Sequence, residues 1–462
     1  SSSEFTDACK AGNIKGVGVQ LTKDLASFLE QGRLPILEAL QAKYPQGLLE
    51  LAKISGLGTK KIRQLYDELG IASVQALLDA CQANKLAGLK GFGEKSQTKF
   101  MEGAIEYFSF RGKCLLPWAE KLFQQLEELF RPKLKTVRLE CVGELRRTQT
   151  IIDTLSVLLV DADVKSCLEQ MRQSPLFISV EQKSESLWIA VTEEGVHVSI
   201  SFCVQANAAW QKILLTGTSE HVDALRKIAQ TKNITVQDDT LFRQAQPWAA
   251  ADEAEIYREC GLAYVPAECR EGLGEIEAAK QEFPELVTRT DIRGILHAHS
   301  HYSDGKNSLR EMAEATKRMG FEYFGITDHS QSAGYANGLK LEAIRRQHAE
   351  IQELNSELAP FHIFKGIEVD ILDDGRLDYE DDILALFDFI IVSVHSRFTM
   401  GEAEMTKRII RALGNPFTTI LAHPTGRLLL KRRPYAVDIG AVLEAASSFG
   451  VAVEINSNPR RL

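Results

Sequence analysis

A multidomain chain of α and α/β units is the fold class that this sequence predicts, and three observations predict it. The first hundred residues repeat a short glycine pattern in front of helix-like segments. From about residue 291, strand-like and helix-like runs alternate without a break. Histidines concentrate in that last third, and most of them close a strand-like run. The length of 462 residues suits roughly three domains of about 150 residues each.

Composition excludes several function classes. With 44% hydrophobic and 25% charged residues and no apolar run long enough to cross a bilayer, the chain reads as globular and no membrane role is expected. Its start, Ser-Ser-Ser-Glu-Phe-Thr, lacks the basic and apolar stretches of a signal peptide, and a cytoplasmic setting is expected. The eight cysteines stand singly between Cys9 and Cys269, without a CxxC pair, which argues against a disulfide framework or a cysteine-based zinc site. A net charge of −9 excludes a uniformly basic protein, so nucleic-acid binding has to be argued locally.

The glycine pattern comes first. Ile14-Lys-Gly-Val-Gly18, Ile54-Ser-Gly-Leu-Gly58 and Leu89-Lys-Gly-Phe-Gly93 share the form apolar-x-Gly-apolar-Gly and start 40 and then 35 residues apart. Helices are expected at 22–31, 60–69 and 94–108, one after each copy, which is helix-hairpin-helix patterning. Gly16, Gly18, Gly56, Gly58, Gly91 and Gly93 would permit tight turns whose amides, at a helix N-terminus, face a phosphate. Lys60, Lys61 and Lys95 bring positive charge to the same turns, with Arg63, Lys85, Lys90 and Lys99 nearby. Such contacts are independent of sequence and sensitive to salt.

A mixed α/β unit follows, with strands expected at 136–142, 156–160, 187–191 and 196–204 and helices at 119–130, 164–172 and 220–230. A helix at 253–260 and a linker beginning at Pro284 lead out of it. The last third then reads as strands at 294–299, 323–327, 362–369, 389–394, 418–422 and 451–455. Between them lie helices at 308–319, 341–358, 379–386, 402–413 and 437–448. This alternation predicts a parallel sheet with crossover helices, and a β/α barrel keeps its functional groups at the C-terminal ends of its strands.

Those ends carry the chemistry. In Gly294-Ile-Leu-His-Ala-His-Ser-His-Tyr-Ser-Asp-Gly305, strand alternation would send His297 and His299 to one side, with Asp304 just beyond. His329, Glu368, His395 and His423 close four further runs, so one polynuclear metal centre is expected at the barrel mouth. Mixed imidazole and carboxylate ligands suit zinc, manganese or iron better than calcium. His301 lies in the turn and is read as a phosphate contact or an outer support. Asp328 would orient a metal-bound histidine. Arg397 and Arg427, just past His395 and His423, would bind phosphate oxygens if local carboxylates leave them free. His197, His221, His348 and His362 are read as surface or packing residues.

The order of three hairpins, Cys141-Val-Gly-Glu-Leu-Arg-Arg147, Leu215-Thr-Gly-Thr-Ser-Glu-His221, Glu255-Ile-Tyr257 and Gly261-Leu-Ala-Tyr-Val-Pro266 resembles the bacterial family X DNA polymerases that end in a PHP domain. The resemblance covers almost the whole chain. It implies an N-terminal helical domain at 1–50, a fingers-like hairpin domain at 51–114 and a nucleotidyltransferase-like palm at 115–235. A thumb-like segment and linker would occupy 236–288, and a distorted (β/α)7 PHP barrel 289–462. It implies the seven ligands His297, His299, Asp304, His329, Glu368, His395 and His423 for two or three divalent metals, with Glu368 as the bridging carboxylate. It also implies DNA, gapped or 3′-ended duplex, as partner, and 3′–5′ exonuclease or 3′-end processing as the activity of the PHP domain.

The sequence departs from the family pattern in two places. Nucleotidyl transfer needs three carboxylates around two magnesium ions. The pair falls on Asp153-Thr-Leu155 and the third on Ser199, so Asp153 alone remains to hold magnesium, and one carboxylate is a poor cage. Glu144 stands where the family's phosphate-contacting turn has Ser, and Val222 where an Asn usually follows the histidine. An inactive, DNA-positioning palm is therefore expected. An active gap-filling polymerase, a catalytically silent DNA-binding scaffold and a small-molecule phosphatase are the alternatives. The family's last Asp-x-His ligands follow the strand ending at Asn456 and are not found before Leu462, so an under-coordinated centre and an exposed sheet edge are expected.

Overall fold

The computed structural model describes residues 19–131, 138–237 and 239–462. The chain divides into two compact units, 1–111 and 112–462. Gly16 and Gly18 of the first hairpin lie outside the described residues.

The first unit is helical, with helices Val19–Gln31, Pro35–Lys43, Gly47–Leu51, Thr59–Leu69, Val74–Gln82 and Glu94–Phe110. Leu51, Ile54, Leu65, Leu77, Phe92 and Phe100 form its core. Leu51 lies in that core and Leu48 packs against it, so the helix Gly47–Leu51 crosses the expected boundary at residue 50. In each described hairpin the first glycine takes the left-handed backbone region, with φ of +80° at Gly56 and +86° at Gly91, which side-chain-bearing residues rarely adopt. Gly58 and Gly93 are the N-caps of the following helices and supply no capping side chain. Gln97 locks the third hairpin: its Oε1 accepts from Leu86 and Ala87 amides at 3.1 Å, and its Nε2 donates to Asn84 at 2.7 Å.

The second unit begins with a five-stranded sheet. Its strands are β1 (Arg138–Val142), β2 (Thr154–Val160), β3 (Phe177–Gln182), β4 (Leu187–Thr192) and β5 (His197–Cys203). They are ordered β1-β2-β5-β4-β3, and only β2 and β5 run parallel. Helices Leu116–Phe130 and Val164–Gln173 cover one face over Leu155, Val157, Val198 and Ile200. Strand β3 is an edge strand whose register shifts between Phe177 and Ser179, so alternation of apolar residues does not announce it. Helices Ser219–Thr231 and Glu253–Glu259 pack with a three-stranded antiparallel ribbon, Ile234–Gln237, Thr240–Arg243 and Gln246–Pro247, around Trp210, Leu225 and Tyr257.

Six parallel strands follow: β6 (Gly294–Ile295), β7 (Tyr323–Ile326), β8 (His362–Asp370), β9 (Phe389–Ser393), β10 (Ile420–Leu421) and β11 (Ala452–Val453). They pair in sequence order with helices between successive strands, the winding of a β/α barrel. Six strands are paired among the described residues where the resemblance implies seven, and the sheet is an open, curled half-barrel. Its curl brings the two edges together at one end. Glu454, one residue past β11, bonds Nδ1 of His297, two residues past β6. No helix among the described residues is long and apolar enough to cross a membrane.

Candidate metal centre

The expected strand 294–299 stops at Ile295, yet the histidines still project together. Beyond the strand, Ala298 exchanges bonds with Thr327: its amide donates to Thr327 Oγ1 at 3.0 Å and its carbonyl accepts from the Thr327 amide at 2.9 Å. That tie keeps the backbone extended, with Ala298 packed into a core cluster and His297 and His299 on the other side. The turn after them folds back tightly. A Cβ at Gly305 would lie 2.0 Å from the His299 carbonyl oxygen, so only glycine fits. Asp328 is fully buried and accepts from the Ser300 amide at 2.8 Å, Ser300 Oγ at 2.7 Å and Gln347 Nε2 at 2.6 Å, and from Ser303. Its lone pairs are spent on the turn, so it braces 300–303 and does not orient a histidine as the sequence suggested.

Glu368, at the C-terminal end of β8, is 1% exposed and stands at the middle of five histidines. Its oxygens lie 3.5 Å from His297 Nε2, 3.4 Å from His299 Nε2, 3.1 Å from His329 Nδ1, 3.4 Å from His395 Nε2 and 3.0 Å from His423 Nε2. Burial alone would raise the Glu368 pKa, but hydrogen bonds from His297, His395 and His423 hold it well below the ordinary carboxylate value. It is an anion. Asp304 completes the group at the mouth, 3.6 Å from His299 Nδ1 and 3.8 Å from His329 Nε2.

Two carboxylates that the sequence reading passed over set the outer support. Asp370 accepts from His395 Nδ1 at 2.6 Å, and Glu454 bonds His297 Nδ1 while taking the His423 amide at 3.0 Å. Each fixes the ring so that Nε2 faces Glu368, which is how outer carboxylates orient metal-ligating histidines. Alternation held the signal for Asp370, two residues after Glu368 on the same strand. Glu454 lies in the last strand-like run and needed only the same parity argument applied to that run.

The donor set fits divalent metals. Three overlapping triads, His297–His299–Glu368, His299–Asp304–His329 and His329–Glu368–His395, each keep their ligand atoms within 4.8 Å of one another. Nδ1 of His299 and Nδ1 of His423 are buried without a hydrogen-bond partner among the described residues. Imidazole mixed with carboxylate is the ligand chemistry of zinc, manganese and iron. Three other candidates sit apart. His301 is exposed and stacks on Tyr302, with ring centroids 5.1 Å apart. Arg397 pairs with Asp373 at 2.8 Å on the exposed rim. Arg427 donates to the Leu462 carbonyl.

In the five-stranded sheet the strand register redraws the expected carboxylate positions. Leu155 is fully buried and pairs with Val198 on the core face, whereas Ser199 lies opposite Ser156 on the other face. Asp153 precedes β2 and pairs with Lys113 at 3.2 Å, largely exposed. The positions that share a face with Ser199 are Thr154 and Ser156, because strand parity separates them from Leu155. Hydroxyls stand at all three of these positions. Glu144 turns inward, accepting from the amides of Asp153 at 2.7 Å and Thr154 at 3.3 Å.

In the helical unit, Gly56, Gly58, Gly91 and Gly93 form exposed turns, and Lys60 and Lys95 are exposed without an ion pair among the described residues. Lys61 differs: its ammonium stands 5.5 Å over the Phe92 ring and 5.1 Å over Phe100, so it packs on the hairpin core. His221, read as a surface or packing residue, is fully buried and bonded at both nitrogens, to Glu275 at 2.6 Å and Tyr257 at 2.7 Å.

Comparison with known proteins agrees with this layout. A PHP domain model matches residues 296–457, a DNA polymerase beta thumb model matches 212–271, and a SAM-like helix-hairpin-helix tandem model matches 48–98. The DNA polymerase/3′-5′ exonuclease PolX of Bacillus subtilis (strain 168) is 34% identical over 454 residues, 97% of this chain and 80% of that protein. A probable phosphatase of Caldanaerobacter subterraneus subsp. tengcongensis is 29% identical over 183 residues, 37% of this chain and 65% of its own length. Another, from Thermoanaerobacter sp. (strain X514), is 30% identical over 178 residues, 38% of this chain and 66% of its own length. The chain belongs to the family X DNA polymerases that carry a PHP domain.

Proposed function

We propose that this chain is a DNA-binding phosphoesterase that trims or processes DNA 3′ ends at its histidine-rich centre, while its palm positions DNA without extending it. One observation carries the reading: five histidines converge on the buried, ionised Glu368 within a chain whose helical unit presents hairpin turns. His297, His299, Asp304, His329, Glu368, His395 and His423 would hold two or three divalent metals. When bound, such metals polarise the phosphoryl group and lower the pKa of the attacking water. The chain's own part is to keep Glu368 anionic, to turn the Nε2 atoms of His297 and His395 inward through Glu454 and Asp370, and to keep bulk water from the inner ligands. Gly56, Gly58, Gly91 and Gly93 would offer amides to the DNA backbone, with Lys60 and Lys95 adding charge.

A gap-filling polymerase is the second reading, because the Bacillus subtilis relative bears both activities in its name. The three hydroxyls at Thr154, Ser156 and Ser199 speak against it, since magnesium requires anionic oxygen ligands. One assay separates the two. A 3′-recessed, end-labelled duplex is incubated with manganese, with and without deoxynucleotides, using wild type, His297→Ala and Asp153→Ala. The expected result is shortening that His297→Ala loses and Asp153→Ala keeps, without extension in any lane. Extension that persists in His297→Ala would overturn the assignment of an inactive palm, and shortening that persists there would overturn the assignment of the histidine centre.

A further inference from the structure

We propose that Tyr335 is a stacking platform for the base of the 3′-terminal nucleotide at the histidine centre, an inference that rests on the phosphoesterase reading. Tyr335 is 71% exposed, and no aromatic side chain among the described residues is more open to solvent. A single exposed tyrosine is ordinary on a protein surface. Its place is not. The ring is T-shaped to two of the inner histidines, with centroids 5.9 Å from His329 at 63° and 6.2 Å from His395 at 76°. Such contacts place the ring without an imidazole stacked on it, so aromatic surface stays open beside the centre. His329 follows β7 and His395 follows β9, the strands on either side of β8 and Glu368. Tyr335 therefore stands over the middle of the sheet and not over its edge strands, β6 and β11.

The loop that carries the ring is fixed. It leaves from His329 and closes on it, since the Leu339 amide donates to the His329 carbonyl at 2.8 Å. Ala333 and Ala336 are buried on either side of Tyr335, and the Ala333 carbonyl accepts from the Ala336 amide at 2.9 Å and the Gly338 amide at 3.1 Å. Asp378 takes the Ser332 amide at 2.6 Å and also the Ser332 hydroxyl, while its carbonyl accepts from Gln331 Nε2 at 2.9 Å. Asn337 Nδ2 donates to the Tyr302 carbonyl at 3.3 Å, which ties the loop to the turn that Asp328 braces. A platform held in this way is ordered before substrate arrives, so stacking on it costs little conformational entropy.

A nucleobase is the partner that suits such a ring. Every base has a π-face, and stacking on an aromatic side chain tolerates any base. In a nucleotide one sugar joins the phosphate to the base, so a phosphate among the ligands brings the base to the lip of the same site. A phosphate ester without an aromatic group would gain nothing from Tyr335. The ring thus favours nucleotides over sugar phosphates, and it does so without reading sequence.

Thymidine 5′-monophosphate and 2-deoxyribose 5-phosphate are the probes, because they differ by the base. Manganese-loaded wild type, Tyr335→Ala and Tyr335→Phe are titrated with each by calorimetry. KM and kcat are measured on the 3′-recessed duplex with a normal or an abasic terminal residue, and manganese content and melting temperature are recorded. Wild type should bind the nucleotide about 5- to 150-fold more tightly than the sugar phosphate, the range for one stacked base. Tyr335→Ala should erase that gap, and Tyr335→Phe should keep most of it. On the normal duplex end Tyr335→Ala should raise KM by a similar factor, with a smaller effect on kcat, and on the abasic end it should match wild type. Equal affinities of wild type for the two probes, a gap that persists in Tyr335→Ala, or a loss as large in Tyr335→Phe would overturn the proposal. So would a fall in manganese content in Tyr335→Ala, which would make the ring a support of the ligands. If hydrolysis survives in His297→Ala, the phosphoesterase reading fails by itself, and the two-probe titration still decides the role of Tyr335.

Discussion

Glu368 shows what a single residue can be read to do. Its place at the end of a β-branched run, and the parity of His297 and His299, made the inner group of the centre legible, because strand alternation converts spacing into direction. Asp370 and Glu454 were not legible in the same way. A carboxylate near a strand end is common, and its meaning comes from the ring nitrogen it meets, at 2.6 Å for Asp370. The outer carboxylates carry a prediction. Asp370→Asn or Glu454→Gln should weaken manganese binding about 10- to 100-fold, measured by competition with a chelator, while leaving the fold intact. Unchanged affinity in both variants would mean that the rings are oriented by packing alone. Arg397 took the other of the two outcomes its sequence left open: beside His395 in the chain, its guanidinium pairs with a local carboxylate, Asp373.

At the scale of elements, periodicity located the helices of the hairpins and most strands of both sheets to within a few residues. It failed where burial gives no pattern. A register shift between Phe177 and Ser179 breaks the alternation of strand β3, and β6 is two residues long because the chain leaves the ladder to form the centre. Burial of His221 joins three helices, since the ring on Ser219–Thr231 meets Tyr257 on Glu253–Glu259 and Glu275 on Glu275–Ala278. Burial, ahead of other causes, lowers the His221 pKa below 6.5, despite the opposing Glu275. The folded state then binds fewer protons than the unfolded state below that value, so stability is full above about 6.5 and declines as pH falls. Glu275 adds to the loss further down, because hydrogen bonds, chiefly from His221, outweigh burial and depress its pKa. Melting temperature recorded from pH 8 to pH 5 should drop on the acid side, and His221→Gln should flatten the upper part of that drop. A flat profile in wild type would show that the triad does not govern this unit.

For the whole molecule, the order of domains was legible because each leaves its own kind of repeat or run in the sequence, whereas the boundary at residue 50 was not, since Leu48 and Leu51 belong to the neighbouring core. A net charge of −9 sits uneasily with a DNA partner until charge is located. Lys60, Lys85, Lys90, Lys95 and Lys99 surround the two described hairpin turns, all exposed and without ion pairs among the described residues. Duplex affinity should therefore fall steeply with salt, and Lys60→Ala with Lys95→Ala should reduce the slope of log K against log salt by about 2. An unchanged slope would move the contact elsewhere.

The bond between His297 and Glu454 spans 157 residues of chain. At the usual pace of protein synthesis, about 5–20 residues per second, that separation corresponds to roughly 8–30 s between the two partners leaving the ribosome. During that interval His297 and His299 exist without the carboxylate that aims the first of them and without most of their neighbours. The inner group of the centre is thus completed only once Glu454 has been made, however early its first histidines emerge.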